Sequence, residues 1–125
     1  MNVVDSSGWI EFFVEGPNAS FFSEPLAEVE TLIVPTVSIL EVSRFVLRHR
    51  DEAAALEAVS SMRRGQLIEL DGELALLAAK LGLEHDLPLA DSIIYATAQR
   101  AGATTWTQDT DFVGLENVQF IAKGS

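Results

Sequence analysis

Apolar residues follow two patterns along this sequence: short continuous runs, and longer segments in which they recur every three or four positions. The short runs are rich in β-branched residues and predict buried strands, whereas the longer segments predict amphipathic helices. We predict strands at Asn2–Val4, Thr31–Pro35, Gln66–Leu70 and Ala103–Thr107. Because strands and helices alternate, the pattern predicts a central parallel sheet with helices on both faces.

Polar residues, glycine and proline mark where the predicted helices begin and end. Ser6 or Ser7 caps the first helix, which Gly16-Pro17 ends, and Thr36 or Ser38 caps a later one that runs to His49. The other helices are predicted at residues 18–30, 51–64, 71–85 and 88–101. Six helices are therefore available to cover the two faces of the sheet.

Composition places the chain among folded domains. Hydrophobic residues make up 48 % of 125 positions, enough for one domain over residues 1–125 without metal or disulfide support. The sequence has no cysteine, which excludes disulfides, thiolate nucleophiles and cysteine-ligated zinc. No apolar run reaches the length of a membrane span, and the N-terminus lacks the pattern of a signal peptide. We therefore expect a cytoplasmic protein with no membrane partner.

The net charge of −11 narrows the possible partners. Sequence-independent binding to nucleic acid depends on a basic surface, so this charge argues against a protein that simply coats a duplex. A metal-dependent nuclease remains compatible, because bound cations reverse the sign of the charge at the site. A basic protein partner is compatible as well.

Four acidic residues stand beside or within strongly apolar sequence: Asp5, Glu41, Asp91 and Asp109. Asp5 and Asp109 follow predicted strands, and a parallel sheet would bring both to the same edge. Ionised carboxylates crowded in a partly buried cleft repel each other unless a cation offsets their charge. Oxygen ligands without cysteine or paired histidines favour Mg²⁺ or Mn²⁺ over Zn²⁺. Such a site can hold a phosphodiester and activate water.

Four short motifs contain these acids: Val4-Asp5-Ser6-Ser7, Ser38-Ile39-Leu40-Glu41-Val42, Leu89-Ala90-Asp91-Ser92-Ile93 and Thr107-Gln108-Asp109-Thr110-Asp111-Phe112. In this order and spacing they resemble PIN-domain proteins of the VapC toxin type, across essentially the whole chain. The resemblance implies a three-layer α/β/α sandwich and an endoribonuclease that depends on Mg²⁺ or Mn²⁺. It also implies a cognate antitoxin, a homodimer, and a structured RNA target such as a transfer or ribosomal RNA.

The resemblance also assigns roles to individual residues. Asp5, Glu41, Asp91 and Asp109 would form the acidic metal site at which RNA is cleaved. Ser6 and Thr107 match the small hydroxyl positions beside that site, and Asp111 would be an accessory acid.

Each acid also has an ordinary structural explanation. Asp91 could simply favour the start of its helix, and Asp5 and Asp109 could be turn residues. Glu41 could pair with Arg44 or Arg48 on the same helix face. A PIN-like module that binds a protein partner but cleaves nothing would then be the alternative function.

Arg44 and Arg48 belong to a helix that carries much of the positive charge of the chain. They could contact RNA phosphates, bind an acidic antitoxin segment, or form part of a solvated surface. The sequence leaves these alternatives open.

Overall fold

Five parallel strands form the central layer of the computed structural model, which describes residues 1–124. The strands are β1 (Asn2–Val4), β2 (Leu32–Pro35), β3 (Gln66–Ile68), β4 (Thr104–Thr107) and β5 (Val118–Phe120). They lie in the order β3-β2-β1-β4-β5, and each neighbouring pair is parallel. The predicted parallel sheet is therefore confirmed.

Within residues 1–124, six α-helices and two short 3₁₀ turns connect the strands. The helices are α1 (Ser6–Phe13), α2 (Ala19–Ala27), α3 (Thr36–His49), α4 (Glu52–Met62), α5 (Gly72–His85) and α6 (Leu89–Ala101). The 3₁₀ turns span Val29–Thr31 and Thr110–Phe112. No helix in this part of the chain has both the length and the apolar character needed to cross a membrane.

Successive strand residues supply two separate cores, because neighbouring side chains in a strand point to opposite faces of the sheet. Val4 and Val34 pack on one face with residues of α1 to α4, including Trp9 and Phe22. Val3, on the other face, packs with Ile33, Ile94, Ala98 and Ala103. The helices thus cover both faces, as predicted, and the architecture is the three-layer α/β/α sandwich.

The connections of β1 create a crevice at the edge of the sheet. β1 lies between β2 and β4, so the chain order reverses where β1 meets β4. In open parallel sheets, ligands bind beyond the carboxyl ends of the strands at such a reversal. The residues that directly follow β1 and β4 are therefore the first place to look for a site.

Several helix boundaries differ from the prediction, for local reasons. Asp5 rather than Ser6 or Ser7 caps α1, because its carboxylate accepts the Gly8 N–H at 2.9 Å. Neither Thr36 nor Ser38 caps α3, since that helix starts directly after the extended residue Pro35.

The elements at the margins of the sheet were predicted least well. The second helix ends at Ala27 rather than at residue 30, and a 3₁₀ turn replaces its last residues. β5 was not predicted from the sequence, because its three residues are mostly exposed and follow a polar loop. An exposed edge strand lacks the continuous apolar run that identified β1 and β2.

Candidate functional site

Five carboxylates converge at the reversal point of the sheet, and we refer to them as the acidic cluster: Asp5, Glu41, Asp91, Asp109 and Asp111. Asp5 directly follows β1, and Asp109 lies two residues beyond the end of β4. Helices α3 and α6 bring Glu41 and Asp91 to the same place, where their charges act on one another. The four acids singled out in the sequence therefore meet at one site.

Asp5 is almost completely enclosed, with 1 % of its surface exposed, and protein donors surround its carboxylate. Thr107 donates its hydroxyl to Oδ2 at 2.6 Å, and Ser7 donates to both oxygens at 2.9 and 3.0 Å. The Gly8 N–H completes the set at 2.9 Å. Burial raises the pKa of Asp5 to about 6, although these hydrogen bonds favour the ionised form and oppose the rise.

Glu41 is held by a serine from another helix. The Ser6 hydroxyl donates to Glu41 Oε1 at 2.7 Å, which joins the start of α1 to the middle of α3. Among residues 1–124, neither Arg44 nor Arg48 forms an ion pair with Glu41. The alternative in which Glu41 simply pairs with an arginine of its own helix is therefore wrong. Arg44 and Arg48 lie exposed on α3, one and two turns beyond Glu41.

Asp91 is the third residue of α6 and is half-buried against the other acids. Burial raises the pKa of Asp91 to about 8, and the negative charges of Asp109, Asp5 and Glu41 add to the rise. The two helices that frame this position lie close together, since a methyl group at Gly82 would sit 2.9 Å from Cβ of Ser92. Because burial and neighbouring charges raise the pKa of Asp91, favourable contact with the helix dipole is not the main influence on this carboxylate.

Asp111 is closer to the centre of the cluster than its accessory role in the sequence analysis suggested. One carboxylate oxygen from each of Asp91, Asp109 and Asp111 can be chosen so that all three lie within 4.8 Å of one another. Asp109 accepts the Asp111 N–H at 2.9 Å, which closes the turn after β4. The charge of Asp109 in turn raises the pKa of the exposed Asp111.

This geometry can be compared with known proteins. The family model described as PIN domain matches residues 3–117. This chain belongs to the PIN-domain family. No curated protein matches the sequence significantly.

Several solved structures share this PIN fold. A toxin–antitoxin complex from Klebsiella pneumoniae is 24 % identical with a TM-score of 0.79, covering 95 % of this chain and 96 % of that one. Mycobacterium tuberculosis VapC20, described as a Sarcin-Ricin loop cleaving toxin, is 17 % identical with a TM-score of 0.79, covering 94 % and 97 %. VapBC2 from Rickettsia felis, bound to a promoter DNA fragment, is 15 % identical with a TM-score of 0.74, covering 97 % of both chains.

The acidic cluster of this PIN domain has the chemistry of a divalent cation site. Asp91, Asp109 and Asp111 offer three carboxylate oxygens at mutual distances that one ion can bridge. Burial and the charges of the neighbouring acids raise the pKa of Asp91, so its ionised form is disfavoured unless a positive charge is supplied. A hard cation would supply that charge, and carboxylates are its preferred ligands.

Three supporting residues were not recognised from the sequence as part of the site. Ser7 was interpreted as a helix cap, yet it donates to Asp5. The Asn18 side-chain amide donates to Gln108 Oε1 at 2.9 Å, and Gln108 donates weakly to the Ser7 carbonyl at 3.4 Å. Gln108 thus joins the loop after β4 to the start of α2 through Asn18 and to α1 through Ser7. A polar residue inside the Thr107–Asp109 motif was the available signal, but its partner is 90 positions away.

Proposed function

We propose that this PIN-domain protein is a metal-dependent endoribonuclease that cleaves RNA phosphodiesters and acts as the toxin of a toxin–antitoxin pair. The observation that carries the proposal is the convergence of Asp91, Asp109 and Asp111 within 4.8 Å beside the buried Asp5. A module that only binds proteins has no need to crowd carboxylates at this cost, because their mutual repulsion disfavours the folded state.

The proposed cofactor is Mg²⁺ or Mn²⁺. Asp91, Asp109, Asp5 and Glu41 would hold it, and the position of Asp111 in the trio makes this residue a further candidate ligand. When bound, such a cation lowers the pKa of an attacking water and offsets the charge that develops on the phosphate and its leaving oxygen.

Other side chains position the carboxylates, and the protonation of Asp91 controls the charge of the site. The Thr107 hydroxyl fixes Asp5 and also accepts the Asp109 N–H at 2.9 Å, so one side chain sets the spacing of two carboxylates. Ser6 orients Glu41 from the opposite side. Since Asp91 has a pKa of about 8, it can hold a proton near neutral pH until a cation displaces it.

The proposed substrate is a structured RNA, and the proposed regulator is a cognate antitoxin. Support comes from structures with the same fold, which include a Sarcin-Ricin loop cleaving toxin and a toxin–antitoxin complex. We also propose a homodimer. The exposed Leu47 on α3, at 52 %, offers apolar surface for it, and sedimentation equilibrium would test this assignment.

The test of the proposed function combines calorimetry with an RNA cleavage assay. Wild-type protein should bind Mg²⁺ or Mn²⁺ and cleave total RNA, and Asp91→Asn should lose both activities while keeping its circular dichroism spectrum. Lys80→Gln on the exposed surface of α5 is the matched control and should behave like the wild type. If the wild type neither binds metal nor cuts RNA, the protein-binding module replaces the nuclease.

A further inference from the structure

Arg44 and Arg48 continue a stripe on α3 that starts at Glu41. The three residues are spaced i, i+3 and i+7, so they share one side of the helix. With a rise of about 1.5 Å per residue, the stripe extends about 10 Å from the acidic cluster along the helix axis. It therefore leads directly away from the position proposed for the scissile phosphate.

Two depressions lie along this stripe and share part of their lining. One has a volume of about 230 Å³ and is lined by Glu41, Arg44, Phe45 and Arg48. The other, of about 350 Å³, also contains Glu41 and Arg44, and its far wall is formed by Leu89, Ala90 and Ile93 around the start of α6. Glu41 of the acidic cluster and Arg44 line both depressions. We refer to the two depressions together as the α3 groove.

Both guanidinium groups are available to a ligand. Arg44 and Arg48 are exposed, and neither forms an ion pair within residues 1–124, where the one ion pair joins Arg100 to Asp71. The planar guanidinium binds phosphate through paired hydrogen bonds, which a protein carboxylate would otherwise occupy.

We propose that Arg44 and Arg48 bind successive backbone phosphates of the RNA strand where it leaves the acidic cluster through the α3 groove. This assignment rests on the proposed nuclease function, because the scissile phosphate sets the starting point of the strand. The aliphatic wall of the groove, formed by Leu89, Ala90 and Ile93, provides apolar surface beside Arg44, which suits a base that has left its stack.

An RNA strand fits this groove better than an acidic peptide does. Glu41 lines the same depressions and would repel a peptide carboxylate and an RNA phosphate alike, so the regular spacing of the phosphates along the strand makes the difference. An RNA strand places a phosphate at the cation and its neighbouring phosphates along α3. Its contacts to the arginines and to the site thus reinforce each other.

The test measures RNA binding apart from cleavage. In an Asp109→Asn background that cannot cut, a fluorescent RNA hairpin is titrated at several salt concentrations. Arg44→Ala and Arg48→Ala should each lower the slope of log K against log[salt] by about 0.7 to 0.9. With the acidic cluster intact, the double variant should raise KM several-fold with little change in kcat or in Mg²⁺ affinity.

Arg63→Ala with Arg64→Ala is the matched control. These exposed arginines follow α4 and precede β3, at the opposite edge of the sheet from the acidic cluster, so the salt slope should stay at the wild-type value. An unchanged salt slope and an unchanged KM in the Arg44 and Arg48 variants would overturn the proposal. It would also be overturned if these variants lost binding to an acidic peptide but still bound RNA like the wild type. If no variant cuts RNA but the slope still depends on these two arginines, the groove assignment survives and the nuclease assignment fails.

Discussion

Asp5 and Asp91 belong to the same acidic cluster, but their surroundings differ in one decisive respect. Asp5 is the more buried residue, with 1 % of its surface exposed, whereas Asp91 is half-buried. Burial alone would therefore raise the pKa of Asp5 further, yet Asp5 reaches about 6 and Asp91 about 8. Hydrogen bonds from Thr107, Ser7 and Gly8 limit the rise at Asp5, whereas neighbouring acids add to the rise at Asp91.

The site therefore has two parts, which differ in how the charge of their carboxylates is compensated. The corner formed by β1, α1 and the end of β4 compensates its carboxylate with protein hydrogen bonds. Around Asp91, the neighbours Asp109, Asp5 and Glu41 are themselves acids, so they add repulsion instead of compensation. The corner is therefore built as a rigid support, and the Asp91 side is the part that a cation completes.

Asp91→Asn should produce the largest change and should separate activity from stability. Cleavage should fall by at least about 100-fold, the scale on which removal of one preorganised electrostatic group acts. The metal-free protein should nevertheless melt at a higher temperature at pH 8, because an amide removes the repulsion. RNA cleavage and differential scanning calorimetry measure the two effects.

Asp5→Asn provides the contrast. An amide nitrogen cannot accept a hydrogen bond, so this variant should lose at least one of its three donors, which costs about 1 to 3 kcal/mol and offsets the gain from removing a buried charge. At pH 8 its melting temperature should therefore rise less than that of Asp91→Asn, and equal rises would mean that the two parts of the site do not differ in the way described.

Thr107→Val tests the corner from the side of its main donor. Threonine and valine have similar shapes, but the change removes the 2.6 Å bond to Asp5 and the acceptor of the Asp109 N–H. We expect metal affinity to fall by about 10- to 100-fold, because residues that orient ligands commonly act on this scale. Isothermal titration calorimetry with Mn²⁺ measures the loss.

Thr105→Val is the matched control on the same strand. Thr105 is also buried, but its hydroxyl has no hydrogen-bond partner among residues 1–124. Its removal should leave metal affinity unchanged and stability equal or higher. Equal losses in the two valine variants would mean that packing in β4, not the bond to Asp5, supports the site.

The pH dependence of stability should follow the two raised pKa values. In the folded protein the pKa of Asp91 is about 8, against an ordinary value of 3.8, so between these values folded Asp91 binds more protons than it does in the unfolded chain. The free energy of unfolding of the metal-free protein should therefore fall as the pH rises from about 4 to about 8. Asp5 adds a fall that ends near pH 6.

Mg²⁺ should reverse most of this pH effect. A cation that binds the ionised carboxylates stabilises the folded state more at pH 8 than at pH 5, where it competes with protons. Melting temperatures in chelator and in Mg²⁺ across this range measure the difference, and Asp91→Asn should flatten the chelator curve. A metal-free protein whose stability rises between pH 5 and pH 8 would contradict the assignment.

The sequence was informative where a signal is local. Buried runs identified β1, β2 and β4, and the strand alternation implied that Asp5 and Asp109 share an edge of the sheet. Contacts between distant residues could not be read in this way. The Ser6–Glu41 bond spans 35 positions and the Asn18–Gln108 bond spans 90, so only the folded chain pairs them.

Asp111 illustrates the same limit within a motif. It looked peripheral in the sequence, because its distance to Asp91 depends on the turn after β4 and on how α6 packs. β5 was missed because its pairing with β4 is a tertiary contact made by a mostly exposed segment. Hydrophobic periodicity and secondary-structure propensity describe single helices and strands, whereas the site depends on the distances between them.

Among these variants, Ser7→Ala should have the smallest effect. It tests whether Ser7 is a less important hydrogen-bond donor to Asp5 than Thr107. The Ser7 hydroxyl donates to Asp5 at 2.9 and 3.0 Å, but Ser7 is partly exposed, so water can replace it, whereas Thr107 is fully buried. We expect a loss of about 0.5 to 1 kcal/mol in the free energy of unfolding, and a smaller loss of metal affinity than in Thr107→Val. Urea unfolding measures the first, with Ser23→Ala on α2 as the control, whose exposed hydroxyl bonds only the Ser20 carbonyl. If Ser7→Ala weakens metal binding as much as Thr107→Val, burial does not rank these donors, and the corner works as one cooperative unit in which every bond to Asp5 is required.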